Sequence, residues 1–515
     1  MKPIRRFDAW ILAAALAGAL TLAPSRGAGQ SAVPGTPAAA PAPAAAAGAG
    51  TGAALPGAPP PAGTPAGTAA IAPLPEPGLY LGPTSCGSSS CHGGVTPRKT
   101  LGIRQDEYFI WQKRDLHAQA YGVLFNDRSQ TIARRMKLGK APGDSQACLG
   151  CHALSVPARQ RRGPLELEDG ISCESCHGAA SGWLEGHRSE SWTHQQSVAA
   201  GMTDLRDIGT RARVCLDCHL GAPGQTVDHE LLAAGHPPLA FELDNYSEAM
   251  PSHWLPFADR QPRQPNTAGD RDTHGTRAWA VGQAAAFRAE LEQVARKARL
   301  AANTANTAST AGATGGGRAL WPEFTELRCD SCHHSLAQER WRNAAPPAGF
   351  ASERPGLPRW SPSHYAVLRR LVAAVAPERQ AALDAAVERL AGQLSRLDTP
   401  PAEVAATAEQ LSREAAELIP RLDRASWDGV QARRLLLAVA RDEDGLEVAD
   451  YLSAQQAALA VQTLVSQLVA GEPRRLRSGL AGAAEGLAAE LQNSYAFDAG
   501  RFAERLGQLG SQLQQ

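Results

Sequence analysis

The ten cysteines of this 515-residue chain fall into five close pairs, and a histidine follows the second member of every pair. The pairs are Cys86/Cys91, Cys148/Cys151, Cys173/Cys176, Cys215/Cys218 and Cys329/Cys332, followed by His92, His152, His177, His219 and His333. Four read C-x-x-C-H, and the first carries four residues between its cysteines. The chain has only 14 histidines, so five such successions are not chance. Two thiols about one helical turn apart can add to the two vinyl groups of a haem, and the adjacent histidine can then bind the iron from the proximal side. The pattern predicts five haem c groups. It also predicts a mainly α fold, in which a loop-rich multihaem core is organised around the covalent haems.

Two plainer readings explain less. Disulfides are ordinary in exported proteins, but they give no reason for a histidine behind every pair. Zinc would suit Cys148/Cys151 with Cys173/Cys176 as a four-thiolate site. Ten cysteines do not divide into such sites, however, and the histidines would be idle.

Each iron also has a sixth position for a second histidine. His117, in the helix-like stretch from Glu107 to Ala120, His187 in a Gly/Trp/Leu loop, His236, His229 and His253 are the candidate distal ligands. His229 and His236 lie seven apart, on one face if helical, but Gly235 and Pro237 should end that helix. His334 abuts a proximal histidine and is badly placed for the same haem; it could serve another, as could His364. His194 and His274 read as solvated polar-loop residues.

Residues Tyr80 to about Trp254 resemble the cytochrome c-554 family of multihaem cytochromes. The resemblance rests on the first motif with Trp111-Gln-Lys-Arg-Asp-Leu-His117-Ala-Gln-Ala, on Cys148-Leu-Gly-Cys-His152, on Gly170-Ile-Ser-Cys-Glu-Ser-Cys-His177-Gly with His187, and on Val214-Cys-Leu-Asp-Cys-His219-Leu. It implies crossed ligation: His117 on the third haem opposite His177, and His187 on the first opposite His92. It also implies a five-coordinate second haem at His152. The longer Cys86/Cys91 loop, the fifth motif and a long C-terminal region depart from the family pattern, and the extra histidines could fill the open position.

The remaining sequence divides by texture. Residues 1–29 read as a secretory signal peptide: Lys2, Arg5 and Arg6, an apolar run from Ala9 to Ala23, then a small-x-small site at Gly27-Ala28-Gly29. That run is about 15 residues, short of the roughly 20 that span a bilayer, so an uncleaved membrane tether is the lesser alternative. Residues 30–76 form an Ala/Pro/Gly-rich linker, uncharged from 31 to 70. The pentahaem cytochrome c domain is expected over 77–345, with a low-complexity surface loop at 301–317.

Residues 355–515, rich in Ala, Leu, Glu and Arg, carry stripes such as Leu383, Val387, Leu390, Leu394 and Leu397, and are expected to form an α-helical bundle. This bundle reads equally as a docking module, for a redox partner or a homo-oligomer, and as a lid over the haems.

With 51 basic and 51 acidic residues, the chain lacks the basic excess of a nucleic-acid binder. Cleavage after Gly29 and the haem propionates tip the balance towards acid. The expected function is a periplasmic electron-transfer protein whose partners are redox proteins. The alternative is an oxidoreductase acting on a small nitrogen or sulfur compound at a five-coordinate haem. No catalytic residue is assigned.

Overall fold

The computed structural model describes residues 78–98, 103–255, 273–308, 321–333, 357–361, 363–442, 445–469 and 474–514. The signal-peptide and linker expectations therefore lie outside the described residues, as does His334. The described chain is mainly α. Among the described residues strand pairing is limited to isolated bridges, such as Tyr80 with Arg161.

The first half is a succession of short helices in long connections. They are α1 (Glu107–Arg114), α2 (Asp127–Met136), α3 (Gln146–His152), α4 (Cys173–His177), α5 (His194–Ala199), α6 (Ile208–Leu216), α7 (His229–Ala234) and α8 (Leu243–Ala249). Helices of five to ten residues are too short to persist alone, so their ends are tied down. Asn126, Thr193, Asp207 and Asp228 each accept a backbone N–H as N-caps. A small apolar cluster of Leu124, Leu149 and Ala153 packs beside the second cysteine pair.

The second half is long-helical: α9 (His274–Ala308), α10 (Ser363–Val375), α11 (Pro377–Ser395), α12 (Pro401–Arg424), α13 (Gly429–Arg441), α14 (Tyr451–Val469), α15 (Arg474–Glu490) and α16 (Ala499–Gln514). Pro377 and Pro401 stand at helix starts, where a missing N–H costs nothing. Most of the expected stripe on α11 is buried, namely Leu383, Val387, Leu390 and Leu394, but Leu397 lies past the end of the helix and is exposed; on α12 Val404, Ala408, Leu411, Ala415 and Leu418 are buried.

Two features differ from expectation. Helix α9 falls within the stretch assigned to the haem core, yet its main packing partner is α12, and it shares one apolar core with α10 to α16. It also runs on to Ala308, so the first eight residues of the supposed loop 301–317 are helical; the rest lie outside the described residues. Alanine is a strong helix former, and that outweighed the low-complexity texture.

The long helices do not stand apart from the haem motifs. Helix α9 packs on α6, which carries Cys215, and on α8; α14 also packs on α8. The segment Phe241–Tyr246 is pinned from the bundle. Its Phe241 carbonyl accepts from Gln456 Nε2 at 3.1 Å, and Asn245 Nδ2 donates to the Leu459 carbonyl at 3.2 Å and to Thr463 Oγ1 at 3.0 Å.

Candidate functional site

All ten cysteines are free thiols, none in a disulfide. Three of the C-x-x-C-H motifs are local helical turns, which explains their spacing. Helix α3 contains Cys148, Cys151 and His152, and α4 is itself Cys173-Glu-Ser-Cys-His177. Residues three and four apart share a helix face, so the two sulfurs and the imidazole project together. Cys215 ends α6, and a single π-helical turn, Asp217–Gly221, carries Cys218 and His219. Such turns gather at functional sites. The last motif closes on a bond from His333 N to the Cys329 carbonyl, 2.7 Å.

The longer first motif still brings its histidine home, because His92 N donates to the Cys86 carbonyl at 3.2 Å. That loop is too tight for a side chain at Gly93, where a Cβ would sit 1.9 Å from the Gly87 carbonyl oxygen.

Cys91 and Cys332, both expected to bind haem, lie outside the helices that carry the other three motifs. Cys91 lies outside any helix, on a turn closed by its own N–H to the Ser88 carbonyl at 2.9 Å. The two extra residues of that loop take it off the one-turn spacing, so it shares no helix face with Cys86. It is half-buried, with its sulfur 3.8 Å from Ser90 Oγ. Cys332 stands just past the short 3-10 turn Cys329–Ser331, with its N–H on the Cys329 carbonyl at 3.2 Å. Both cysteines of this last motif are exposed, whereas the eight others are half-buried. The fifth motif thus lies at the surface of the described chain, and Cys332 is not enclosed as a core thiol would be.

Three proximal histidines face a distant histidine at nearly one spacing. The ring centroids of His92 and His187 are 6.3 Å apart and nearly parallel, at 6°. His117 and His219 are 6.2 Å apart at 86°, and His229 and His333 are 6.4 Å apart at 32°. A metal–nitrogen bond of about 2 Å on each side, plus a ring radius of about 1.2 Å for each imidazole, predicts roughly 6 Å for two imidazoles on one iron. The three centroid spacings match that value.

The other two proximal histidines also have histidine neighbours. Burial first, and then His253 and His92, push His177 down to about 4. His236 is lowered by burial and, in part, by His152. His219 is likewise pushed down to about 4, by burial and then by His117. Neutral imidazole is the form that binds a metal.

In five of the ten candidate ligands the second nitrogen is engaged. Nδ1 is engaged in His92 (Glu107 Oε2, 3.1 Å), His117 (Asp115 Oδ1, 2.9 Å), His152 (Ala120 carbonyl, 2.9 Å), His187 (Leu184 carbonyl, 2.5 Å) and His236 (Pro237 carbonyl, 2.7 Å). Such bonds fix the tautomer and direct Nε2 towards a metal.

The unselected histidines differ. His194 spends its Nε2 on Asp204 Oδ1 at 2.8 Å; it opens α5 and is no solvated loop residue. His364 is buried, with Nδ1 on Glu290 Oε1 at 2.5 Å and Nε2 on the Phe241 carbonyl at 3.2 Å, so it serves the helical core and no haem. His274 starts α9 with its Nε2 3.4 Å from Arg211 Nη2.

The neighbours of His117 and His253 differ from those that the family resemblance implies. His117 lies against His219 of the fourth motif, while His253 neighbours His177 of the third. His117 is nonetheless tied to the third motif through its backbone: its carbonyl accepts from Ile171 N at 2.9 Å, and Trp111 Nε1 donates to the Ile171 carbonyl at 2.9 Å.

Thiols of different motifs also meet. The Cys173 thiol lowers the pKa of Cys86, and the Cys218 thiol that of Cys151. Burial, then charge repulsion from Cys215, pushes Cys176 up to about 12.

Sequence reasoning passed over one residue, Glu174, inside the third motif. It is 2% exposed and accepts backbone N–H bonds from Leu81, Gly82 and Ala180 at 2.8–3.0 Å. The signal was present as a carboxylate between two cysteines, but two of its three partners are 92 and 93 residues away. Among the described residues, no cluster of three or more His, Cys, Asp or Glu could hold a metal ion.

Residues 86–178 match the family model described as cytochrome c554 and c-prime. The span holds the first three cysteine pairs and His117, and over it the chain resembles that family. The fourth and fifth motifs, with His187, His229, His236 and His253, lie beyond it. No curated protein and no solved structure matches the chain.

Proposed function

We propose that the chain is a periplasmic electron-transfer protein with five covalent c-type haems, each iron held between two histidines. The observation that carries this reading is the recurrence of imidazole pairs at 6.2–6.4 Å, each joining a motif histidine to one far along the chain. The ligand pairs are His92/His187, His152/His236, His177/His253, His219/His117 and His333/His229. When bound, each haem supplies an iron that cycles between ferric and ferrous.

The chain's own residues do the tuning. Glu107 and Asp115, hydrogen-bonded to Nδ1 of His92 and His117, place negative charge behind those imidazoles, which favours the ferric state. Phe241 and Tyr246 pack on His219 at 5.3 Å each and keep water from its ring. The bundle pins that segment, which supports the lid reading of the long helices. Redox proteins are the expected partners. Export is read from residues 1–29, with residues 30–76 as a tether.

Mass spectrometry of the denatured holoprotein tests the reading directly. Five haems of added mass, with all-low-spin ferric spectra, are expected. Absence of covalent haem, or a high-spin fraction that binds nitric oxide, would overturn the haem-protein and electron-carrier readings respectively.

A further inference from the structure

One short helix has a histidine at each end, and each faces a different haem motif. His229 opens α7, with its ring 6.4 Å from His333 and packed edge-on against Phe324 at 5.6 Å. Its backbone N–H donates to Glu323 Oε1 at 3.2 Å, so both Phe324 and Glu323 anchor it to the fifth motif's own segment. His236 follows the other end, beyond Gly235, whose φ of +117° turns the chain out of the helix. Its Nδ1 is engaged by the Pro237 carbonyl at 2.7 Å, which leaves Nε2 for a metal, and α7 packs on α2 beside the second motif.

The approach to α7 is also built on the second motif. Gln225 Nε2 donates to the Gly150 carbonyl, and its side chain lies within 3.0 Å of where a Gly150 Cβ would be. The same amide reaches Cys218 Sγ at 3.3 Å.

A six-residue helix has no stability of its own, and this one is clamped. Asp228 caps its start by accepting from Leu231 N at 2.8 Å. At its end Arg128 Nε donates to the Gly235 carbonyl at 2.9 Å and Arg135 Nη1 to the Ala234 carbonyl at 3.1 Å. Both arginines come from α2, which follows Leu124 in the cluster around Leu149 of the second motif. At 1.5 Å per helical residue to Ala234 and at most about 3.6 Å for each of the two residues beyond, the two histidine backbones lie no more than about 15 Å apart.

We infer that His229–His236 is a strap that closes the sixth position of the second haem and seats the fifth haem beside it. The inference rests on the pentahaem reading above. The second haem, implied to be five-coordinate by the family resemblance, becomes a relay here. The fifth haem is then an extension of the wire from the second, with no separate protein needed between them.

The test uses full-length holoprotein and first counts haems by mass. Fewer than five would defeat the pentahaem reading itself; five leave the strap to be judged on its own. Electron paramagnetic resonance then counts high-spin ferric centres. His236→Ala and His229→Ala should each convert one of five haems from low to high spin. The double variant should convert two, with mutual magnetic broadening because the two are neighbours. If either single variant leaves all five low-spin, or if the double converts only one, the strap is overturned.

Arg128→Ala/Arg135→Ala leaves both histidines in place and loosens only the helix, and should give high-spin signal from the same two haems. Redox titration of Cys329→Ser/Cys332→Ser, which lacks the fifth haem, provides a readout if the histidine variants do not fold. The second haem's potential should shift when its charged neighbour is lost, and an unshifted potential would count against adjacency.

Discussion

Replacing Glu174 should cost far more than replacing any surface carboxylate, because its two oxygens organise a stretch of chain remote in sequence. Oε1 accepts from Ala180 N at 2.8 Å and Leu81 N at 3.0 Å, and Oε2 accepts from Gly82 N at 2.8 Å and again from Leu81 N at 3.0 Å. Glu174→Ala would leave three backbone N–H groups without an acceptor in a site only 2% exposed. Each orphaned buried donor costs about 1–3 kcal/mol, so with partial relaxation the total is about 3–6 kcal/mol. Glu174→Gln keeps one oxygen but turns an NH2 towards donors, and should cost about 2–4 kcal/mol.

The assay is urea unfolding of the holoprotein, followed by haem absorbance. Glu185→Ala is the control: its pair with Arg188 is 83% and 60% exposed, and surface changes of that kind stay within about 0.5 kcal/mol. Limited proteolysis should also cut the Glu174 variants around 79–82 first. A loss below about 1 kcal/mol in Glu174→Ala, or Glu174→Gln as stable as the parent, would refute the argument.

Other outcomes follow from the same geometry. His117→Ala should disturb the fourth haem and leave the third six-coordinate, read by assigning the haem whose potential moves. His364 is buried, which disfavours its charge, but Glu290 outweighs this and raises its affinity for a proton. Its contribution is therefore complete below about pH 6.5 and lost as pH climbs through the higher folded value. Thermal melts should fall across that range in the parent and flatten in His364→Gln.

Burial, then the neighbouring Glu242, raises Asp244 to about 7. The parent should lose stability from about pH 4 up to that value relative to Asp244→Asn, in melts across the range. Leu411→Ala, fully buried on α12, should cost about 3 kcal/mol in urea unfolding.

The haem motifs were legible because their chemistry is local: two thiols and an imidazole within five residues define the turn. Cys91 marks the limit of that reasoning, since its loop reaches His92 by backbone bonds that the one-turn spacing does not describe. The exposure of Cys332 was equally hidden, because it depends on what packs over residues 329–333. The fold class and the α11 and α12 stripes were legible for a similar reason to the motifs, since a one-sided helix writes its period into the sequence. Helix α9 did not. Ala278, Trp279, Ala280, Val281, Ala284, Ala285, Ala286 and Phe287 are all buried, so no polar face marks a period. The partners of His117 and His253 were not legible either, because they depend on how connections of a hundred residues return. His364 shows the converse: a histidine among haems drew attention, but a carboxylate on α9, invisible in local sequence, had already claimed it.

The pairing of α9 with α12 has a consequence for how such a molecule matures. Arg299 and Glu409 meet at 2.7 Å across 110 residues, and the loop they close contains Cys329 to His333. Closing a loop of that length costs about 4 kcal/mol of chain entropy, which only the assembled bundle returns. Helices themselves form in about a microsecond, whereas contacts so distant in sequence come late. The fifth motif thus stays on open chain for an interval set by bundle closure. Its two cysteines stay exposed in the folded chain as well, so the covalent modification proposed there does not have to precede bundle closure.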